Sequence, residues 1–274
     1  MSYLHGLFDI ADKVVLITGA SSDLGRGIAY GFGSAGARLV LLSRSDQSSF
    51  VRDLSAENIV AASYPADVMN REQLRSTVEV VERDHGPIDV LINMAGGNRP
   101  GATTSPERSF FDLRTDDIEE VVNLNLFGGA IIPCQVVGSS MRNNPHGGSI
   151  VNVSSMAAGR PLTRIVGYAA AKAAVENFTK WLAVSLAHDG YPSLRVNAIA
   201  PGFVLTDQNR YLLFDEMQKP TKRCEAIIGH TPMGRLGASD DLLGAALFLG
   251  SSASSFVTGT VIPVDGGFGA FSGV

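Results

Sequence analysis

Short runs of unbroken apolar residues recur along the chain, at "VVLI" (14–17), "LVLL" (39–42), "VLIN" (90–93), "SIVNVS" (149–154), "RVNAIA" (195–200) and "TVIPVD" (260–265). Continuous runs, rather than alternation, are what strands buried on both faces require. Helix-length segments separate most of these runs. Such β–α alternation predicts an α/β fold, a doubly wound parallel sheet between two helical layers, as a single domain over residues 1–274. Ligands of such sheets bind beyond the carboxyl ends of the strands.

Composition agrees with that expectation. A chain of 274 residues with 45% hydrophobic content can bury one large core. A net charge of −5 argues against nucleic acid as a partner. Two cysteines, Cys134 and Cys224, make no disulfide framework and read as thiols of a reducing compartment. No stretch approaches the roughly 20 apolar residues of a membrane span, so no membrane partner is expected. The opening "MSYLHGLFDIADK" lacks a basic start and carries Asp9 and Asp12, unlike a signal peptide. The expected location is cytoplasmic, and no metal is expected.

Chemistry concentrates in three places. "GYAAAKAA" carries Tyr168 and Lys172, which share a helix face at i and i+4. A nearby cation lowers a phenol's pKa from its ordinary value of about 10. Ser155, thirteen positions upstream in "NVSSM", would aim a hydroxyl at the same spot, with Ser154 as its competitor. The three would move a proton on or off a carbinol oxygen. Near the amino end, "TGASSDLG" (Gly19, Ser21, Ser22, Asp23, Leu24, Gly25) lies between a strand and a helix, where free N–H groups attract a pyrophosphate. Asp23 would either repel that pyrophosphate or turn away to cap the helix beginning near Leu24 or Gly25. Two segments, 98–117 and 205–235, interrupt the β–α rhythm. Long connections usually cover a site, so the first reads as a substrate-side loop and the second as a helical lid.

With "LINMAGG" (Asn93, Ala95, Gly96), "VVNLNLFG" (Asn125) and "VNAIAPGFVLT" (Asn197, Pro201, Gly202, Val204, Thr206), these motifs stand in the order found in the short-chain dehydrogenase/reductases, which the chain resembles from about Asp12 onward. The resemblance implies a Rossmann-type fold, a nicotinamide dinucleotide cofactor and a homo-oligomer, commonly a tetramer. It implies that Tyr168 is the acid–base, that Ser155 orients the substrate oxygen, that Lys172 also binds the nicotinamide ribose, and that Asn125 holds a water linked to Lys172. It places Asp67 and Val68 beside the adenine, although Asp67 reads equally as a helix N-cap. At the end of the second strand Ser43 and Arg44 stand where NAD-preferring members carry an acid. An arginine can pair with a 2′-phosphate, so NADP(H) is favoured over NAD(H).

Within the family, "AGGNRPGATT", "RPLTRIVGYAAAKAA", "APGFVLTDQNRYLLF" and "HTPMGRLG" resemble the D-mannonate oxidoreductase (fructuronate reductase) branch. A sugar-acid substrate needs a cation for its carboxylate. Arg99, Arg164 and Arg210 are the candidates, with Asn98 and Asn209 for hydroxyls or turns. Another carbonyl substrate (a polyol, ketogluconate or ketoacyl thioester) and a catalytically silent dinucleotide-binding protein are the alternatives. His230 reads as support for the lid, and Phe178 and Trp181 as core or subunit-interface residues.

Overall fold

A computed structural model describes residues 3–273. Seven strands form one sheet in the order β3-β2-β1-β4-β5-β6-β7, with every neighbouring pair parallel. They are β1 (Val14–Thr18), β2 (Arg38–Ser43), β3 (Ala61–Pro65), β4 (Val90–Asn93), β5 (Gly148–Val153), β6 (Leu194–Pro201) and β7 (Val261–Val264). Six coincide with the apolar runs. The seventh, β3, is an edge strand of sequence "AASYP" whose residues are half-buried or exposed, so it lacks the apolar signature of the interior strands. The C-terminal run finishes the chain's own sheet as β7, paired with β6.

The helices are α1 (Tyr3–Phe8), α2 (Asp23–Ser34), α3 (Ser48–Ala56), α4 (Arg71–His85), α5 (Thr115–Val122), α6 (Ile132–Met141), α7 (Val166–His188), α8 (Asp207–Leu213), α9 (Lys222–His230) and α10 (Leu243–Gly250). Two buried clusters lie on opposite faces of the sheet. One gathers Phe32, Ile28 and Leu249 over Val15, Ile17 and Ile92; the other gathers Leu74, Val81 and Val137 over Leu16, Leu42 and Ile150. A third, smaller cluster around Leu213, Cys224 and Ile227 belongs to the lid.

A π-helical segment, Asn123–Ile131, joins α5 to α6, so that Thr115–Met141 runs as one helix of 27 residues that contains an 18-residue stretch of mean hydropathy 1.5. By length and composition it is apolar enough to cross a membrane. Its apolar residues serve the second core instead: Val137 and Met141 are almost wholly buried, and the helix packs on α4 and α7.

Candidate active site

Parallel strands deliver every candidate segment to one edge of the sheet. The glycine loop follows β1, Ala95–Gly97 follow β4, Ser155 follows β5, and Val204–Thr206 follow β6. The loop after β1 nests against the loop after β4. Gly19 has φ +66, and a Cβ there would stand 2.7 Å from the Ala95 Cα; one at Gly25 would stand 2.6 Å from the Gly19 carbonyl oxygen. This is a cradle only glycine leaves open, and it leads to the first turn of α2, so the chain fits a dinucleotide pyrophosphate. Ser22 caps α2, its Oγ accepting from Gly25 N at 3.1 Å and donating to Gly19 O at 2.9 Å.

Asp23 therefore does not cap its own helix, because Ser22 already does. Its Oδ2 accepts instead from the backbone N–H of Asp207, at 2.5 Å, at the start of α8. Asp67 is likewise not the cap of α4. Asn70 takes that place by accepting from Gln73 N, while Asp67 Oδ1 accepts from Met69 N at 2.9 Å and Val68 is buried.

Tyr168 and Lys172 both stand on α7 with Ser155 opposite. The Tyr168 phenol is half-buried, and Lys172 Nζ lies 5.6 Å from its ring centroid. Lys172 is 4% exposed, and its Nζ donates to Val153 O at 2.8 Å. Here burial overrules the expectation from charge. Desolvation raises the Tyr168 pKa, and the Ser155 hydroxyl, which favours the phenolate, offsets this only in part. The same desolvation lowers Lys172 from 10.5 to about 8. Both groups are pushed toward their neutral forms. Ser155 is the available serine: Ser154 is buried, its Oγ donating to Glu176 Oε1 at 2.9 Å and Lys172 O at 3.3 Å.

Asn125 sits in the π-helical segment, a form that recurs at functional sites. Fully buried, it donates to Gly97 O at 2.6 Å and Val121 O at 2.8 Å, and its Oδ1 accepts from Gly97 N at 3.1 Å. Its side chain thus fixes the loop after β4 next to Lys172. Asn93, expected on the cofactor surface, points into the interior. It donates to Asn152 Oδ1 at 2.8 Å, and Asn152 donates to Thr179 Oγ1 at 2.9 Å, a buried chain tying β4 and β5 to α7. Ser43 is also turned inward, its Oγ donating to Ser45 O at 2.6 Å, whereas Arg44 is exposed and forms no ion pair among the described residues.

The three expected substrate arginines separate. Arg99 is committed to Glu120, and Asn98 to Thr103 Oγ1 at 2.9 Å. Arg210 lies 4.0 Å from Asp207 Oδ1 and 6.0 Å from the Phe214 ring centroid. Asn209 completes a capping box with Thr206 at the start of α8. Arg164 differs. It has φ +85, a strained conformation for a non-glycine residue, and its carbonyl accepts from Thr104 N at 3.0 Å. It forms no ion pair among the described residues. Its charge reaches Arg223 on α9: burial first, then the Arg164 guanidinium, holds Arg223 below its ordinary pKa. Nothing in the spacing of "PTKRCEAI" marked Arg223, since the lid's approach to the loop before α7 is a tertiary contact. His230 supports the lid as expected, with its ring 4.6 Å from Phe268 and 5.0 Å from Phe271.

A glycine cradle at a helix start, beside a half-buried Ser–Tyr pair and a buried lysine at the carboxyl edge of a parallel sheet, defines a nicotinamide-dependent oxidoreductase acting on CH–OH groups. The family model described as enoyl-(acyl carrier protein) reductase matches residues 19–269. The chain belongs to the short-chain dehydrogenase/reductase family. A Haemophilus influenzae structure with bound NAD, provisionally described as a D-mannonate oxidoreductase, is 42% identical with a TM-score of 0.90, covering 97% of this chain and 98% of that one. Gluconate 5-dehydrogenase of Gluconobacter oxydans is 36% identical, over 95% of this chain and 96% of its own length. A gluconate 5-dehydrogenase of Burkholderia cenocepacia, in complex with NADP and tartrate, is 31% identical with a TM-score of 0.85, covering 98% of this chain and 100% of that one.

Proposed function

We propose that the protein interconverts the carbinol and carbonyl of a sugar acid of the D-mannonate/D-fructuronate kind, with NADP(H) favoured over NAD(H). The observation that carries the acid is the pair Arg164 and Arg223: two guanidiniums near enough to feel each other, without a carboxylate partner among the described residues, beside the turn that leads into Tyr168. An anionic substrate would relieve that repulsion, and arginine suits a carboxylate. The sugar-acid relatives point the same way. Arg44, exposed after β2 and without an ion pair among the described residues, supports a 2′-phosphate.

The cofactor supplies or accepts hydride at the substrate carbon. Tyr168 holds the proton for the substrate oxygen: burial keeps the phenol protonated at neutral pH, so it is ready to donate to a carbonyl oxygen in the reducing direction. Ser155 orients that oxygen from the other side. Lys172, charged below about pH 8, steadies the phenolate left behind. Asn125 holds the loop Ala95–Gly97 that shapes the neighbouring wall. On α7, Trp181 (61% exposed) and Val184 (59%) leave an apolar face that supports a homo-oligomer.

Initial rates of NADPH and NADH oxidation with D-fructuronate, D-tagaturonate, 5-keto-D-gluconate and an uncharged ketone test this reading. Turnover with a uronate is expected, lost in Tyr168→Phe, with KM raised about tenfold or more in Arg164→Ala and in Arg223→Ala. Turnover confined to uncharged carbonyls would overturn the substrate class.

A further inference from the structure

The start of the lid and the segment that follows it both rest on the helix that opens the cofactor cradle. Asp23, the first residue of α2, accepts through Oδ2 from the Asp207 N–H that begins α8, a contact spanning 184 residues of sequence. One turn further along α2, Gly27 lies so close to the segment that follows the lid that a Cβ there would stand 2.5 Å from the Ser239 Cβ. The ends are also tied to each other, by a parallel bridge between Val204 and Gly237 and by Leu205 N donating to Gly237 O at 2.9 Å. Between these anchors, α8, α9 and the turn joining them carry exposed Tyr211, Leu212 and Met217 and the small core of Leu213, Cys224 and Ile227. The Gly27 contact is steric packing of the Ser239 side chain against a glycine. The Asp23 contact is one charge-assisted hydrogen bond at the half-exposed edge of the cradle, so it is the anchor that can open.

We infer that Asp23 is a positioning residue, a latch that fastens the first lid helix to the glycine-rich loop before the dinucleotide enters and so presets the segment Val204–Thr206 at the carboxyl edge of the sheet. The carboxylate does this at the expense of cofactor affinity, because it stands in the loop that receives a pyrophosphate of the same charge. Lid order and dinucleotide affinity are therefore set in opposition by a single side chain. This inference does not depend on which carbonyl is the substrate. Its second half rests on the pyrophosphate occupying the first turn of α2.

The test uses full-length Asp23→Gly and Asp23→Asn. In the cofactor-free protein, hydrogen exchange of the segment 205–214 is expected to quicken about tenfold in Asp23→Gly, the loss of one charge-assisted hydrogen bond. Asp23→Asn, which keeps an acceptor, should quicken it by about threefold or less. Dissociation constants for NADPH and NADH, read by calorimetry, should fall about fivefold in both variants at low salt, with the gain shrinking at high salt. The turnover number should fall in Asp23→Gly and be restored in part in Asp23→Asn, while KM for the cofactor falls in both. Unchanged exchange of 205–214 in Asp23→Gly overturns the latch, whatever the substrate proves to be. Cofactor binding that is unchanged or weakened in Asp23→Asn overturns the opposition of charge. Loss of the uronate activity with the exchange difference intact would count against the proposed substrate alone.

Discussion

Replacing Lys172 by methionine asks what it costs to keep a cation inside this protein. The side chain is 4% exposed, and burial lowers its pKa from 10.5 to about 8. That interval corresponds to about 3 kcal/mol. The folded value lies below the unfolded one. Between about pH 8 and 10.5 the unfolded chain therefore binds more protons, and the wild-type protein gains stability as pH rises. Below about pH 8 the full cost of the buried charge is present. Methionine removes that cost and keeps the length of the side chain, but it deprives Val153 O of its donor at 2.8 Å, a loss of about 1–2 kcal/mol. The variant is thus expected to be more stable than wild type by about 1–2 kcal/mol near pH 7, and less stable by a similar amount near pH 10.5. Urea titrations at neutral and at high pH read both differences. A variant that is less stable at neutral pH, by a margin that does not change with pH, would refute the burial argument. Turnover should fall by about a hundredfold or more at either pH, so the charge trades stability for chemistry.

Two further outcomes test the site's geometry. Gly96→Ala would place a Cβ 2.6 Å from Asn125 Oδ1 and 3.4 Å from Lys172 Nζ. Asn125 must then give up part of its grip on Gly97, and we expect a loss of about 1–3 kcal/mol in stability with a larger proportional loss in turnover; a variant melting and turning over like wild type would show the wall after β4 to be pliable. Arg44→Ala should raise the KM for NADPH about tenfold or more while leaving NADH nearly unaffected. An equal effect on the two cofactors would remove Arg44 as the selector.

The chain's local chemistry announces much of this. Continuous apolar runs identify six of the seven strands, and their ends carry the glycine loop, Asn93–Gly96, Ser155 and Val204–Thr206. Those assignments depend on neighbours in sequence: period, a strand before a loop, a helix after it. The Tyr168–Lys172 spacing is equally local. The edge strand β3 escaped because only one side of it is buried by a partner strand, and its "AASYP" has no need of a continuous apolar run.

What folding alone decided are properties of groups distant in sequence. Desolvation is collective, so no spacing rule could tell that burial would raise Tyr168, with the Ser155 hydroxyl offsetting it only in part. Asn125 and Asn93 could be placed at the right strand ends, but their partners, Gly97 and Val121 for one and Asn152 for the other, depend on how helices and strands pack. Arg99 and Arg164 are alike on paper. Glu120 neutralises the first, and the lid brings Arg223 against the second. Asp23 is the clearest case: its sequence offered a nearby helix to cap, but Ser22 took that role and the carboxylate went to a lid 184 residues away. Sequence determines which groups stand at each strand end; tertiary packing determines which of them are left desolvated, unpaired and facing one another, because those conditions arise only when distant segments exclude water together.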